Sequence, residues 1–311
     1  MSRLILLSDG HLCIDKPIGR FDNDMLQVSL NKLNFIFEYA YTSGIHSILQ
    51  AGDFVDLERS WGLLSALSKF LEEWKQKGII LYVVLGQHDS YYHNMSNQKT
   101  IMGVLISTGL VKRLSSIPEN IEGSVFNAYG ASYGEEIPNP CSTSRRNILV
   151  CHRQILMKKE WAMQDGFDYA PQFLKTYDKF DLILCGDAHQ KFDFKLDGRY
   201  ICNSGPLMRL EATDEMIKHM PGFYVFDAFK KNPLSFHLVP AKAGEEVLSK
   251  EHILLQKKRK QNFDDFIMKI QEIDQQDQSL DFSQNLKTIM KKSKTSDDVK
   301  YMIGEYIAKG E

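Results

Sequence analysis

Five times along this chain an apolar run ends in a small cluster of Asp, His or Gln. Leu4–Leu7 leads into Ser-Asp-Gly-His, presenting Asp9 and His11. Ile48–Ala51 leads into Gly-Asp-Phe-Val-Asp, with Asp53 and Asp56, and Ile79–Leu85 into Gly-Gln-His-Asp, with Gln87, His88 and Asp89. Ile148–Cys151 is followed by His152, and Leu182–Gly186 by Asp187 and His189. Short apolar runs bounded by glycine or charge read as buried strands. Side chains just past the carboxyl ends of adjacent strands in an open α/β sheet face one crevice, so residues distant in sequence can share a site. Any one of these clusters, taken alone, is ordinarily a turn with a surface side chain. Their joint occurrence behind successive strands is what constrains the fold.

Between the early runs lie amphipathic stretches, Met25–Tyr41 and Trp61–Lys75, whose apolar residues recur at helical spacing, giving a βαβ rhythm. From Phe126 to Val239 strand candidates succeed one another, including Tyr200–Cys202 and Phe223–Phe226, which predicts a second sheet. Lys195–Gly198 has turn chemistry suited to a hairpin before Arg199. The character changes near Pro240. A basic stretch carrying Lys257, Lys258, Arg259 and Lys260 leads into three apolar stripes: Phe263, Phe266, Ile267 and Ile270; then Leu286, Ile289 and Met290; then Val299, Met302, Ile303, Tyr306 and Ile307. The expected organisation is an α/β domain over residues 1–240, a basic linker over 241–261 and a helical tail over 262–311. A chain of 311 residues has ample material for such a core.

A formal charge of −2 argues against coating nucleic acid with an overall positive field, while leaving room for a local basic patch. The five cysteines are odd in number and form no CxxC pair, which suits a reduced, cytoplasmic protein. Neither a signal peptide nor a membrane-spanning run is legible, so no membrane partner is expected. Carboxylates mixed with imidazoles and without thiolates suit divalent ions taking oxygen and nitrogen ligands, such as manganese, magnesium, iron or zinc. A bridging carboxylate can hold two such ions about 3.5–4 Å apart, a spacing that clamps a phosphate.

The strings Asp-Gly-His, Gly-Asp-Phe-Val-Asp, Gly-Gln-His-Asp, Cys-His-Arg and Gly-Asp-Ala-His resemble, in order and spacing, the five blocks of calcineurin-like metallophosphoesterases. The resemblance covers residues 1 to about 240. The segment Cys-Asn-Ser-Gly-Pro-Leu-Met-Arg-Leu-Glu-Ala-Thr-Asp-Glu, from Cys202, resembles the stretch after the last block in SbcD-type and phage recombination nucleases. The fold so implied is a two-sheet α/β/β/α sandwich with a C-terminal helical tail. One ion would be held by Asp9, His11 and His189, the other by Gln87, His152 and Asp187, with Asp53 bridging. His88 would stabilise or protonate the leaving oxygen, its tautomer fixed by Asp56 or, failing that, by Asp89.

Two departures from the family pattern fall on the second ion: Gln87 stands where Asn is usual and Asp187 where His is usual. Asp is the harder ligand and adds charge, so that site should favour manganese or magnesium. The alternative is a weakened second site on a scaffold with poor catalysis. The implied activity is DNA phosphodiester hydrolysis, as exo- or endonuclease subunit of a repair or recombination complex. The implied partners are DNA, a coiled-coil ATPase of the SbcC type docked by the tail, and a second copy in a homodimer. The compact form of the chain resembles phage versions, which would act in the host cytoplasm. A phosphatase of the same superfamily is the competing enzyme class, but Leu57 stands where protein phosphatases carry Arg, and the nearest cation is Arg59.

Other signals carry less. His46, His93, His219, His237 and His252 have no ligand partner at a telling spacing. Tyr91, Tyr92 and His93 offer either packing or a base-stacking loop. Arg145, Arg146, Lys158, Lys159 and the run 257–260 read first as solvated faces, with phosphate contact as the alternative.

Overall fold

The computed structural model describes residues 2–91, 99–123, 125–140, 145–158, 165–251, 258, 260–263, 286, 290 and 296–308. In chain order the elements are β1 (Arg3–Leu7), α1 (Met25–Thr42), β2 (Ser47–Gln50), α2 (Trp61–Gln76), β3 (Ile80–Val83), α3 (Ile101–Ser107), β4 (Lys112–Arg113), β5 (Glu119–Ile121), β6 (Phe126–Ala131), β7 (Arg146–His152), β8 (Ile155–Leu156) and β9 (Asp168–Tyr169). They continue as α4 (Ala170–Thr176), β10 (Leu182–Gly186), β11 (Phe192–Leu196), β12 (Arg199–Asn203), α5 (Asp214–Lys218), β13 (Gly222–Asp227), β14 (Leu234–Leu238), α6 (Gly244–Val247) and α7 (Asp297–Ala308).

Two six-stranded mixed sheets result, ordered β14-β13-β1-β2-β3-β4 and β11-β12-β10-β7-β6-β5. Strands β1 to β4 run parallel, as do β6, β7, β10 and β12, while β13, β14, β5 and β11 are antiparallel additions. Strand β13 departs from the expected grouping. It returns to the first sheet beside β1, pairing Leu4 with Phe226 and Leu6 with Tyr224, instead of extending the second sheet.

Each apolar run is continuous because each strand is buried on both faces. Along β1, Ile5 and Leu7 point to a core shared with α1, α2 and α3, while Leu4 and Leu6 point to a core between the sheets. Leu149, Ile183 and Ile201 on the outer face of the second sheet pack on Phe173 and Leu174 of α4. The layers are therefore α/β/β/α. Helix α1 starts where Asp24 accepts a hydrogen bond from Gln27 N, and α2 where Ser60 accepts one from Leu63 N. Leu63, Leu67, Leu71 and Trp74 then make one buried stripe along α2. The β11–β12 hairpin turns through Asp197 and Gly198, both at positive φ (49° and 80°), the geometry of a tight two-residue loop.

The first compact unit is Met1–Leu248 and the second Ser249–Glu311. The first unit runs past the boundary expected near Pro240 because Val247 and Leu248 are buried and Phe21 N donates to Val247 O. In the second unit Leu286, Val299 and Ile303 form a small cluster with Met290, whereas Phe263, Tyr301 and Met302 are exposed. Phe266, Ile267 and Ile270 of the first expected stripe, and Ile289 of the second, lie outside the described residues. Of the third stripe, the side chains of Tyr306 and Ile307 are likewise not described. Among the described residues no helix is long and apolar enough to cross a membrane.

Candidate metal centre

The first sheet delivers four of the residues singled out as ligands, Asp9, His11, Asp53 and Gln87, just past β1, β2 and β3. The second delivers His152 at the end of β7, and Asp187 and His189 just past β10. The backbone does unusual work here: His11, Asp53 and Asp187 sit at φ 49°, 48° and 76°. Asp and His tolerate this left-handed region better than most residues, but it still costs about 1–3 kcal/mol at each position. Local hydrogen bonds hold it in place, with Gly10 N and His11 N both donating to Asp53 O at 2.9 and 2.8 Å. Two glycines make the approach of the ligands possible. A Cβ on Gly52 would lie 2.4 Å from His152 Nδ1, and one on Gly86 2.0 Å from Asp53 Oδ1.

Among the described residues three overlapping triads have potential ligand atoms within 4.8 Å of one another: Asp9–His11–His189, His11–Asp53–His88 and Asp9–Asp53–His152. His152 Nδ1 donates to Ala51 O at 2.7 Å, which turns the Nε2 lone pair inward. There it meets only acceptors, Gln87 Oε1 at 2.8 Å and Asp53 Oδ2 at 3.3 Å, with Asp187 Oδ1 at 3.9 Å. Gln87 Nε2 in turn donates to Asp187 Oδ1 at 2.8 Å. On the other side, the Nε2 atoms of His11 and His189 face each other at 3.0 Å. Asp9 Oδ1 accepts from Asp187 N at 2.9 Å, while its buried Oδ2 has no hydrogen-bond partner. Buried lone pairs converging on one another are stable only around positive charge. The donor set, all oxygen and nitrogen, fits divalent ions.

The ionisation pattern shows the same demand. Burial disfavours charge on His152, but the hydrogen bond and charge of Asp53 outweigh it and push the imidazole up to about 10. His11 is likewise raised, burial being outweighed by Asp56, Asp9 and Asp53. Asp53 is lowered, the histidines prevailing over burial. Burial lifts Asp9 to about 6, and burial together with His11 holds His189 down at about 4.

His88 lies at the exposed edge of the set. Its Nδ1 donates to a backbone carbonyl, Asp56 O, at 2.8 Å. Asp56 thus meets His88 through its main chain, while its carboxylate Oδ1 is 3.9 Å from His88 Nδ1 and nearer, at 3.4 Å, to His11 Nδ1. Asp89 is remote from that task. Its buried carboxylate accepts from Gly86 N and Val55 N at 2.9 and 3.2 Å, tying the second block to the third, and burial followed by Asp53 raises it to about 7.

Sequence reasoning passed over Gln50 and Ser8. Buried Gln50 donates to Ser8 O and Gly52 O, and Ser8 Oγ donates to Cys185 O, so the two join the first block to the second and to the second sheet. The only signal was a polar residue ending an apolar strand. The string from Cys202 folds behind the centre: Leu207 N donates to Asp9 O at 2.8 Å, Leu207 O accepts from the buried Lys32 Nζ at 2.6 Å, and Arg209 donates to His219 O and Lys242 O. Of the histidines set aside, His219 donates to Pro206 O, His237 stacks on Phe223 and His46 is exposed. His93 and His252 are outside the described residues, as are Tyr92 and Lys159. The Tyr91 ring is covered by the Arg59 guanidinium at 3.6 Å.

The fold thus gathers at its strand ends oxygen and nitrogen donors that could hold divalent ions. The chain belongs to the calcineurin-like phosphoesterase family, whose model matches residues 2–191. Similar solved structures include a Thermus thermophilus protein, at 12% identity and TM-score 0.46, with 76% of this chain and 99% of that one covered. An archaeal phosphodiesterase matches at 11% and 0.41, covering 76% and 100%. A putative 5'-nucleotidase of Staphylococcus aureus matches at 12% and 0.43, covering 76% and 53%. No curated protein matches the chain.

Proposed function

We propose that this chain is a two-metal phosphodiesterase acting on DNA, the nuclease subunit of a complex with a coiled-coil ATPase of the SbcC type. The observation that carries the reading is the shape of the approach to the ligands. A cavity of about 350 Å³ lined by His11, Asp56, His88 and His189 shares His189, Glu211 and Met216 with a second of about 730 Å³. A third, of about 480 Å³, contains His152 and shares Asp187 with the second. The centre is thus reached along a trough, which suits a diester inside a polymer better than a terminal monoester. Leu57, half-exposed beside Asp56, supplies no guanidinium for a dianionic phosphate, and Arg59 is engaged with Tyr91.

In this reading Asp9, His11 and His189 would hold one ion and Gln87, His152 and Asp187 the other, with Asp53 available to both. Bound divalent cations would neutralise phosphate charge and acidify water. The chain itself orients His88. Because a carbonyl can only accept, Nδ1 carries a proton, and Nε2 is the nitrogen left facing the substrate, able to give a proton to the leaving oxygen when it is protonated as well. Asp56 serves twice, its carbonyl fixing His88 and its carboxylate facing His11. The helical tail is the docking segment for the ATPase, and the catalytic unit works as a homodimer in the cytoplasm.

The test is hydrolysis with Mn²⁺ of single-stranded and duplex oligonucleotides, bis(p-nitrophenyl) phosphate and p-nitrophenyl phosphate. Oligonucleotides and the diester should be cleaved and the monoester spared. Preference for the monoester with DNA left intact would overturn the nuclease reading in favour of a phosphatase.

A further inference from the structure

The largest of the three cavities carries a charge pattern that the metal chemistry does not use. Lys158 follows β8, Lys191 precedes β11 and Lys218 ends α5, so three separate parts of the fold contribute an exposed lysine to the lining of one cleft. None of the three makes an ion pair among the described residues. Lys191 Nζ rests 4.1 Å over the Phe236 ring, which holds an ammonium in place without neutralising it. Glu211, Glu215 and Asp187 also line the cleft, equal in number to the lysines, so cations predominate only where Asp187 is taken up by the metal centre. Its floor includes Met216, and exposed Met220 stands at its edge, apolar surface of the adaptable kind that a flat base can lie on.

Beside its apolar lining the cleft carries lysines from three elements next to Asp187 and His189, the combination of cations and apolar surface by which proteins track a sugar–phosphate backbone. We infer that Lys158, Lys191 and Lys218 form a tracking groove that holds a single nucleic-acid strand leading away from the metal centre, contacting the phosphates next to the scissile one. The inference rests on the nuclease reading and deepens it, since it assigns the residues that make a polymer the substrate. The lysines touch no ligand, so they set affinity for the strand and leave the chemistry alone.

The test is a triple variant, Lys158→Gln, Lys191→Gln and Lys218→Gln, with the pair Lys230→Gln and Lys231→Gln on the β13–β14 hairpin as control. Binding of a fluorescent single-stranded oligonucleotide is followed by anisotropy in Ca²⁺ across a salt series, and hydrolysis of the oligonucleotide and of bis(p-nitrophenyl) phosphate in Mn²⁺. At about 0.7 of log–log salt slope per single-strand phosphate contact, the triple variant should lose a slope of about 2 and bind about 10- to 100-fold more weakly at 0.1 M salt. Its turnover of the small diester should match the wild type, as should every property of the control. A wild-type protein that cleaves DNA, with a triple variant of unchanged affinity and slope, sinks the groove and spares the nuclease. A wild-type protein that neither binds nor cuts the oligonucleotide sinks both. A triple variant that loses small-diester turnover as well shows that the lysines belong to the centre, which also overturns the inference.

Discussion

The imidazoles of His11 and His189, 178 residues apart in sequence, meet nitrogen to nitrogen at 3.0 Å. Without an ion, one of them must donate a proton to the other, and the surroundings decide which. His11 faces Asp9, Asp53 and Asp56 and is raised, while His189 is held at about 4. A cation held by both lone pairs would remove that conflict, and would do the same for His152 facing Asp53 and Gln87.

Ion binding should therefore stabilise the fold measurably. At a hundredfold excess over the dissociation constant each site adds about 2.7 kcal/mol, several degrees in Tm. Calorimetry with and without Mn²⁺ checks this, and Asp53→Asn should lose most of the increment. Equal melting of the wild-type protein in Mn²⁺ and in EDTA would remove the centre from consideration.

His88→Ala should lower DNA cleavage by about 10²–10⁴-fold, the usual range for a lost proton donor, with Mn²⁺ affinity held. Affinity survives because the backbone N–H of residue 88, which donates to Asp53 Oδ1 at 2.8 Å, is kept. Titration calorimetry separates the two roles: a large drop in Mn²⁺ affinity would make His88 a ligand.

Asp187→His should retain cleavage while shifting preference from Mg²⁺ toward Zn²⁺ or Fe²⁺ by about tenfold or more. Histidine tolerates φ 76°, and the main-chain donation to Asp9 persists. Loss of all metal binding would show that Asp187 is not exchangeable with the imidazole usual in the family.

Lys32 gives a pH signature away from the ions. Burial, then Arg209 and Arg20, lower its ammonium to about 7, whereas in the unfolded chain it stays protonated up to its ordinary 10.5. The unfolded state thus binds more protons across that window, and stability should rise with pH from about 7 toward 10. Lys32→Met should flatten the rise by up to about 1 kcal/mol per pH unit. Urea unfolding at pH 7, 8 and 9 compares the two proteins, and parallel slopes would contradict the assignment.

Much of this molecule was legible because burial on two faces writes itself plainly: β1 from Leu4 onward and β10 are unbroken apolar runs, and each ends where its polar residues are needed. The return of β13 to the first sheet was not legible, since Tyr224 and Phe226 alternate in the same way whichever sheet they join. The split duty of Asp56 turns on a carbonyl, which carries no signature in sequence. Lys32 sits in a helical pattern where lysine ordinarily faces solvent, and only the fold turns it toward Leu207 O. The left-handed backbone at His11, Asp53 and Asp187 was equally hidden, although the glycines beside them mark where crowding would forbid a side chain.

Because four of the seven proposed ligands belong to one sheet and three to the other, grip on the cations would be coupled to cohesion of the sandwich. Any force that pries the layers apart at this end lowers ion affinity, and a chelator must soften the seam between them. Hydrogen exchange at the ends of β1 and β10 would then act as a gauge of metal loading, without any substrate being turned over.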